Sequence, residues 1–154
     1  EKRFNLLKKY LPVKVLTNKD GTQYGNFNSK FDRILIDAPC TGLGALRRRP
    51  EARWRKTPND LKTLVKLQSE LLQSAAHLLE PGGVIAYATC SPHLLETKVQ
   101  IADFLHRHKE FRIRPIEDAK RGKVKGLESD GSLQLWTHRD GTDSMFLVLL
   151  ESTT

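Results

Sequence analysis

The 154-residue sequence predicts an α/β fold with a mostly parallel sheet and antiparallel late strands, and three observations lead there. Two segments, "FDRILIDA" (31–38) and "VIAYATC" (84–90), have the near-continuous apolar character of strands buried on both faces, as in parallel sheets. A long amphipathic stretch, "DLKTLVKLQSELLQSAAHLLE" (60–80), separates them and supplies the helix that a parallel connection needs. Three late apolar runs, "FRIRPI" (111–116), "LQLW" (133–136) and "MFLVLLE" (145–151), add further strand candidates.

The remaining elements follow from spacing and punctuation. "EKRFNLLKKYL" carries Phe4, Leu7 and Leu11 at helical spacing, so it predicts a first helix. "VKVLT" (13–17) predicts a short strand, and "NKDGTQYGNFNSK" (18–30) a loop rich in Asn, Gly and Ser. Pro39 to Pro58 predicts a loop with glycines and many arginines. Asn59 is placed to cap the long helix, which should stop at Pro81-Gly82-Gly83. Leu94 to His108 predicts another amphipathic helix.

Composition narrows the function classes. With 38% hydrophobic and 29% charged residues the chain can bury one compact core and is not of disordered type. No apolar run approaches the ~20 residues of a transmembrane helix, so no membrane partner is expected. The charged N-terminus does not read as a signal peptide. Because the chain begins at Glu1 rather than Met, a processed chain or a cut-out piece is expected. The net charge of +8 and pI near 9.7 favour polyanions, RNA or DNA first. Two cysteines without ligand spacing give no metal site and no disulfide framework, which suits a reducing, cytoplasmic setting.

In parallel sheets ligands bind beyond the carboxyl ends of the strands. Cys40, Cys90 and Asp37 all fall at such ends, and the strand predicted before Asp20 would place that carboxylate on the same rim. A lone cysteine is usually a small core hydrophobe. Two of them, each at a strand end near a proline, instead suggest a thiolate nucleophile, with a disulfide between them as the alternative. Gly42-Leu43-Gly44 fails as a dinucleotide fingerprint because Arg47 stands where the third glycine belongs, so the glycines are assigned to a tight turn. "LRRRPEARWRK" (46–56) sets Arg47, Arg48, Arg49, Arg53, Arg55 and Lys56 against one acid. Next to the rim, this run reads as a phosphate-contacting patch, with Trp54 either packed beneath it or stacked on a base. His93 follows the Cys90 segment and could line the site. His77, His106 and His108 lie on or near helices, where surface or capping roles are expected.

"FDRILIDAPCTGLGALRRRPEARWRKTPNDL" and "LEPGGVIAYATCSPHLLET" resemble the RNA cytosine-5 methyltransferases of the Sun (RsmB) type, and the resemblance runs from about Glu1 to Glu151. It implies a Rossmann-like sheet, S-adenosyl-L-methionine as methyl donor, and RNA as substrate, ribosomal RNA ahead of transfer RNA. It assigns Cys90 in "ATCS" as the nucleophile and Cys40 in "DAPC" as the second cysteine, which helps release the methylated product. It places Asp37 near the donor and the target base, and Asp20 at the adenine side of the cofactor. Ser144-Met145 stands where the family usually has a glycine before its aromatic residues.

The chemistry matches these residue types. A thiolate added to carbon 6 of cytosine makes carbon 5 enamine-like, so one hard step becomes easier ones. Asp37 could assist at the ring nitrogen, and Cys40 could act as base or in resolution. Composition and spacing do not say which cysteine attacks; that assignment rests on the resemblance. The family's glycine-rich cofactor loop and its ribose-binding acid lie upstream of Glu1, so residues 1–154 are expected to be the C-terminal part of a catalytic domain. Such a piece should be inactive alone, bind the donor weakly, and self-associate through an exposed sheet edge. The alternatives are an RNA-binding module of the same fold without catalysis, and a nucleotide-dependent oxidoreductase, which the missing fingerprint disfavours.

Overall fold

The computed structural model describes residues 19–24, 27, 29–116 and 126–154. The helix expected over 1–11 and the strand over 13–17 lie outside the described residues. The elements in order are β1 (Phe31–Asp37), α1 (Ala52–Arg55), α2 (Pro58–Leu78), β2 (Leu79–Thr89), α3 (Lys98–Arg107), β3 (Phe111–Arg114), β4 (Leu133–Gln134), α4 (Thr137–Asp140) and β5 (Phe146–Ser152). Short 3₁₀ turns occupy Leu43–Ala45 and Leu94–Glu96, so the expected Leu94–His108 helix divides into a turn and α3.

The start of α2 is set by Thr57 rather than Asn59. Thr57 is extended and Pro58 takes the first helical position, where a missing N–H costs nothing. The Thr57 hydroxyl oxygen accepts from Asp60 N at 3.2 Å, and Asp60 accepts from Thr57 N at 2.8 Å. This reciprocal pair is worth about 1 kcal/mol and fixes where the helix begins. At its other end α2 runs directly into β2. The Pro81-Gly82-Gly83 stretch is absorbed inside the strand as an irregularity, between the Phe31–Leu79 and Arg33–Val84 pairs. Gly82 takes a positive φ of 69° there, which explains a glycine at that point.

The sheet order is β1-β2-β5-β3, with β4 also paired to β5. β1 and β2 are parallel; β5 runs antiparallel to β2, β3 and β4. The late strands are therefore antiparallel as expected, but among the described residues the sheet is mixed rather than mostly parallel. α2 and α3 supply Leu72, Ala75, Ile101 and Phe104 to one core with Ile36, Ile85, Tyr87, Val148 and Leu150. β5 shows the one-sided pattern clearly, with Phe146, Val148 and Leu150 buried and the residues between them half-buried.

β1 differs from its expected burial on both faces. Ile36 is buried, but Leu35 is 71% exposed. Two causes act together. β1 pairs only with β2 among the described strands, and both long helices lie on the Ile36 face. The opposite face forms an open groove of about 440 Å³ lined in part by Arg33, Leu35, Ala86, Arg114 and Leu149. Among the described residues, no helix is long and apolar enough to cross a membrane.

Candidate active site

Two neighbouring parallel strands end side by side. Asp37 pairs with Ala88, and Ala38 N donates to Ala88 O at 2.9 Å, which carries the ladder one rung past β1. The chain beyond each end therefore leaves from the same place. Cys40 lies on one exit and Cys90 on the other, and their sulfur atoms are 3.3 Å apart. Both are free and half-buried. The placement read from the sequence thus becomes contact across fifty residues of chain.

The contact makes the two thiols unequal. The Cys40 hydrogen bond holds the Cys90 thiol down to about 6, against the opposing effects of burial and of the Asp37 and Asp143 charges. Cys40 is pushed well above the usual thiol range, first by its bond to Cys90 and then by burial. These opposite directions favour a thiolate on Cys90 beside a protonated Cys40.

The turn between Gly42 and Ala45 locks these exits to β5. Gly42 has a φ of 72°, as a tight turn needs, so the sequence assignment of these glycines holds. Gly44 N donates to Cys90 O at 3.0 Å, and Ser144 N donates to Gly44 O at 2.9 Å. A Cβ on Gly44 would lie 2.0 Å from Ser144 O and 2.8 Å from Cys90 O, so only glycine fits. The unusual Ser144 is accommodated: its hydroxyl donates to Leu135 O at 2.8 Å.

Asp37 is exposed at the rim, beside a cavity of about 450 Å³ whose walls include Phe27, Ile34, Leu71 and Ser74. Gly21 also lines it, so the Asp20 turn sits at its margin. Asp20 is fully exposed; its carboxylate accepts from Thr22 N at 3.0 Å and from the Thr22 hydroxyl at 2.8 Å, which lowers its pKa. Ser74 is buried and its hydroxyl has no partner, which leaves one unsatisfied polar atom in a mostly apolar wall. Purine-sized ligands with a polar edge suit such a wall.

The basic stretch lies just past the rim. Arg47, Arg48, Arg49, Arg53, Arg55 and Lys56 are all exposed. Arg48 differs from the rest because it is committed to Asp143, with Nε donating to Oδ2 at 2.8 Å. That bond holds Asp143 below the usual carboxylate range. Trp54 is 84% exposed, which removes the packed-beneath reading and leaves a free aromatic face among guanidinium groups. His93 acts as a cap: its Nδ1 accepts from Leu95 N at 3.2 Å. His77 lies on the α2 surface, stacked on Tyr24 with ring centroids 4.3 Å apart. Among the described residues, no group of three or more His, Cys, Asp or Glu side chains could hold a metal ion.

One residue central to this site escaped sequence reasoning. Glu96 is fully buried and accepts from Thr41 N at 2.8 Å, the Thr41 hydroxyl at 2.6 Å, the Ser91 hydroxyl at 2.6 Å and Gln68 Nε2 at 3.2 Å. Nothing in its local sequence sets it apart from an acid on the polar side of an amphipathic helix.

The chain is similar to known proteins along nearly all its length. The family model for 16S rRNA methyltransferase RsmB/F matches residues 2–151. A Mycobacterium tuberculosis (strain ATCC 25618 / H37Rv) protein named as a methyltransferase is 51% identical over 146 residues, which is 94% of this chain and 31% of the relative. A Bacillus subtilis (strain 168) protein named "Probable ribosomal RNA small subunit methyltransferase B" is 37% identical over 121 residues, 78% of this chain and 27% of that protein. The chain thus spans about a third or less of the length of these curated relatives. Among solved structures, the crystal structure of PH0851 matches 98% of this chain and 34% of its own, with a TM-score of 0.85 and 34% identity. The crystal structure of NSun6 from Pyrococcus horikoshii with SFG matches 99% of this chain and 38% of its own, with a TM-score of 0.79 and 25% identity.

Proposed function

Because the chain belongs to the 16S rRNA methyltransferase RsmB/F family, we propose that it carries the reacting thiols of an enzyme that methylates carbon 5 of cytosine in RNA, with ribosomal RNA ahead of transfer RNA as substrate. The observation that carries this reading is the pair of sulfur atoms 3.3 Å apart at adjacent strand ends, a contact that lowers the Cys90 pKa. A pure packing role has no need of a thiolate. A cytosine ring needs one, because its carbon 5 reacts only after a nucleophile has added to carbon 6.

The roles divide by protonation. Cys90 adds to carbon 6 as the thiolate, with electron density moving to carbon 5 and the ring nitrogen. Asp37, exposed at the same rim, is the group we assign to assist at that nitrogen. Cys40 keeps its proton while Cys90 is free. Once Cys90 is bonded to carbon 6, Cys40 loses the neighbouring negative charge that held its pKa up, and it can then act as a base toward the carbon 5 proton. Loss of that proton restores the ring double bond and expels Cys90.

S-adenosyl-L-methionine, when bound, supplies an electrophilic methyl group. The fit on this chain is partial and specific: Asp37, the partnerless Ser74 hydroxyl, and an apolar wall beside the Asp20 turn. The neighbour crystallised with SFG, an analogue of that donor, supports the same choice. Five exposed cations, Arg47, Arg49, Arg53, Arg55 and Lys56, with Trp54 among them, suit an RNA backbone with a base stacked on the indole. We read the chain as the C-terminal part of the catalytic domain, inactive by itself; its 31% share of the relative's length supports only its matching part of a longer protein.

The test uses a protein of the relatives' full length, ribosomal RNA and labelled donor. Cys90→Ala is expected to abolish both methyl transfer and any covalent RNA adduct. Cys40→Ala is expected to accumulate the adduct. Methyl transfer at the normal rate by Cys90→Ala would refute the assignment.

A further inference from the structure

We infer that Glu96 is a positioning residue for the nucleophile: its buried carboxylate clamps the two cysteine-bearing exits together and thereby sets the distance between the thiols. The inference rests on the reading of Cys90 as the nucleophile.

The contacts make the case. A buried carboxylate is costly unless its oxygens are filled with donors. Glu96 has four hydrogen bonds, two to each oxygen. Their origin is selective. Thr41 follows Cys40 directly and gives two of them, one from its backbone N–H and one from its hydroxyl. Ser91 follows Cys90 directly and gives the third. Gln68 of α2 gives the fourth, and the same Nε2 donates to Pro39 O at 2.9 Å, on the approach to Cys40. Every donor to the carboxylate thus belongs to a cysteine-bearing exit or to the side chain that braces one. The Thr41 and Ser91 hydroxyls also meet each other at 3.3 Å, the same separation as the two sulfurs one residue earlier.

Geometry of this kind is a lever. A hydrogen bond between thiols weakens steeply with distance. Releasing either exit from Glu96 therefore weakens the bond that keeps Cys90 ionised. The charged groups near Cys90 are Asp37 at the end of β1, and Asp143 before β5 with its partner Arg48. None of them is bonded to Glu96, so they stay in place when it is altered.

The experiment measures the pH midpoint of Cys90 alkylation by iodoacetamide, read by peptide mass spectrometry on the chain alone. Neither RNA nor donor is present, so a failure of the methyltransferase reading would not disturb it. Two variants are used. Glu96→Asp withdraws the carboxylate by one methylene, and Ser91→Ala removes a single hydroxyl in case the first does not fold. Circular dichroism and a thermal melt establish folding. A folded variant is expected to raise the midpoint by about one pH unit or more above that of the unsubstituted chain measured alongside it. A folded variant with lower Tm but an unmoved midpoint would overturn the inference and leave Glu96 as a structural staple.

Discussion

Replacing Cys40 by alanine isolates the cause of Cys90 ionisation. The substitution removes the hydrogen bond that is the largest influence holding Cys90 at about 6. What remains is opposed: burial and the charges of Asp37 and Asp143 act upward, and a backbone hydrogen bond to the sulfur acts downward. The midpoint should therefore rise toward the ordinary thiol value of 9.0, about three units higher. At pH 7 the thiolate fraction would fall from about 90% to about 1%, a loss of roughly ninetyfold. The rate would fall much less, because nucleophilicity rises with basicity; a Brønsted coefficient of about 0.45 returns roughly twentyfold. The net slowing at pH 7 is about fourfold, too small to decide anything alone. The decisive readout is the alkylation profile from pH 4 to 10, whose midpoint should move by about three units. Cys40→Ser, which keeps a donor, should fall between. A midpoint that stays near 6 in Cys40→Ala would refute the thiol pair as the cause. The sign for stability follows too. The folded pair holds one proton where the unfolded chain holds two, so the pair adds stability as pH rises from about 6 toward 9. Above that window the raised Cys40 reverses the trend, because the unfolded chain has then lost both protons.

Other expectations are independent of this one. Gly44→Ala should cost about 3 kcal/mol by urea melt, from overpacking plus two strained backbone hydrogen bonds, whereas Gly42→Ala, with open space around it, should cost about 1 kcal/mol; equal costs would contradict the close approach at Gly44. Changing Arg47, Arg49 and Arg53 to Gln should weaken single-stranded RNA binding and reduce the slope of log affinity against log salt by about 2. An unchanged slope would move the RNA interface elsewhere. Calorimetric titration of S-adenosyl-L-methionine into this chain should show binding weaker than micromolar, and a micromolar constant would refute the half-domain reading. Sedimentation should show concentration-dependent association through an exposed sheet edge, and a monomer at every concentration would remove it.

The strands and the long helix were legible because each carries its period in a few residues. "VIAYAT" and "MFLVLL" are too apolar to be anything but sheet, and α2 keeps its apolar stripe for five turns. The burial of β1 was not legible, since a strand covered on both faces and one covered on a single face can share the same letters. Leu35 reads as core and is exposed because of what lies beside it. α2 begins two residues before the start that an Asn59 cap implies, because Thr57 and Asp60 bond each other reciprocally. At the site, Cys40, Cys90 and Asp37 could be placed on one rim by topology. Their partners could not. Glu96 acts on residues five and fifty-five positions away, and no local pattern encodes that reach.

The same separation governs how the chain acquires its reactive thiol. Cys40 and Cys90 meet only after β1 and β2 pair in parallel, with all of α2 folded into the intervening loop. Such non-local pairing comes late, because loop closure costs entropy before any contact repays it. Collapsed intermediates with α2 formed but the strands apart would hold two ordinary, protonated cysteines. Labelling of Cys90 at pH 5 during refolding, where the ionised thiol should outreact an ordinary one by roughly fortyfold, is thus a clock for closure of the parallel pair.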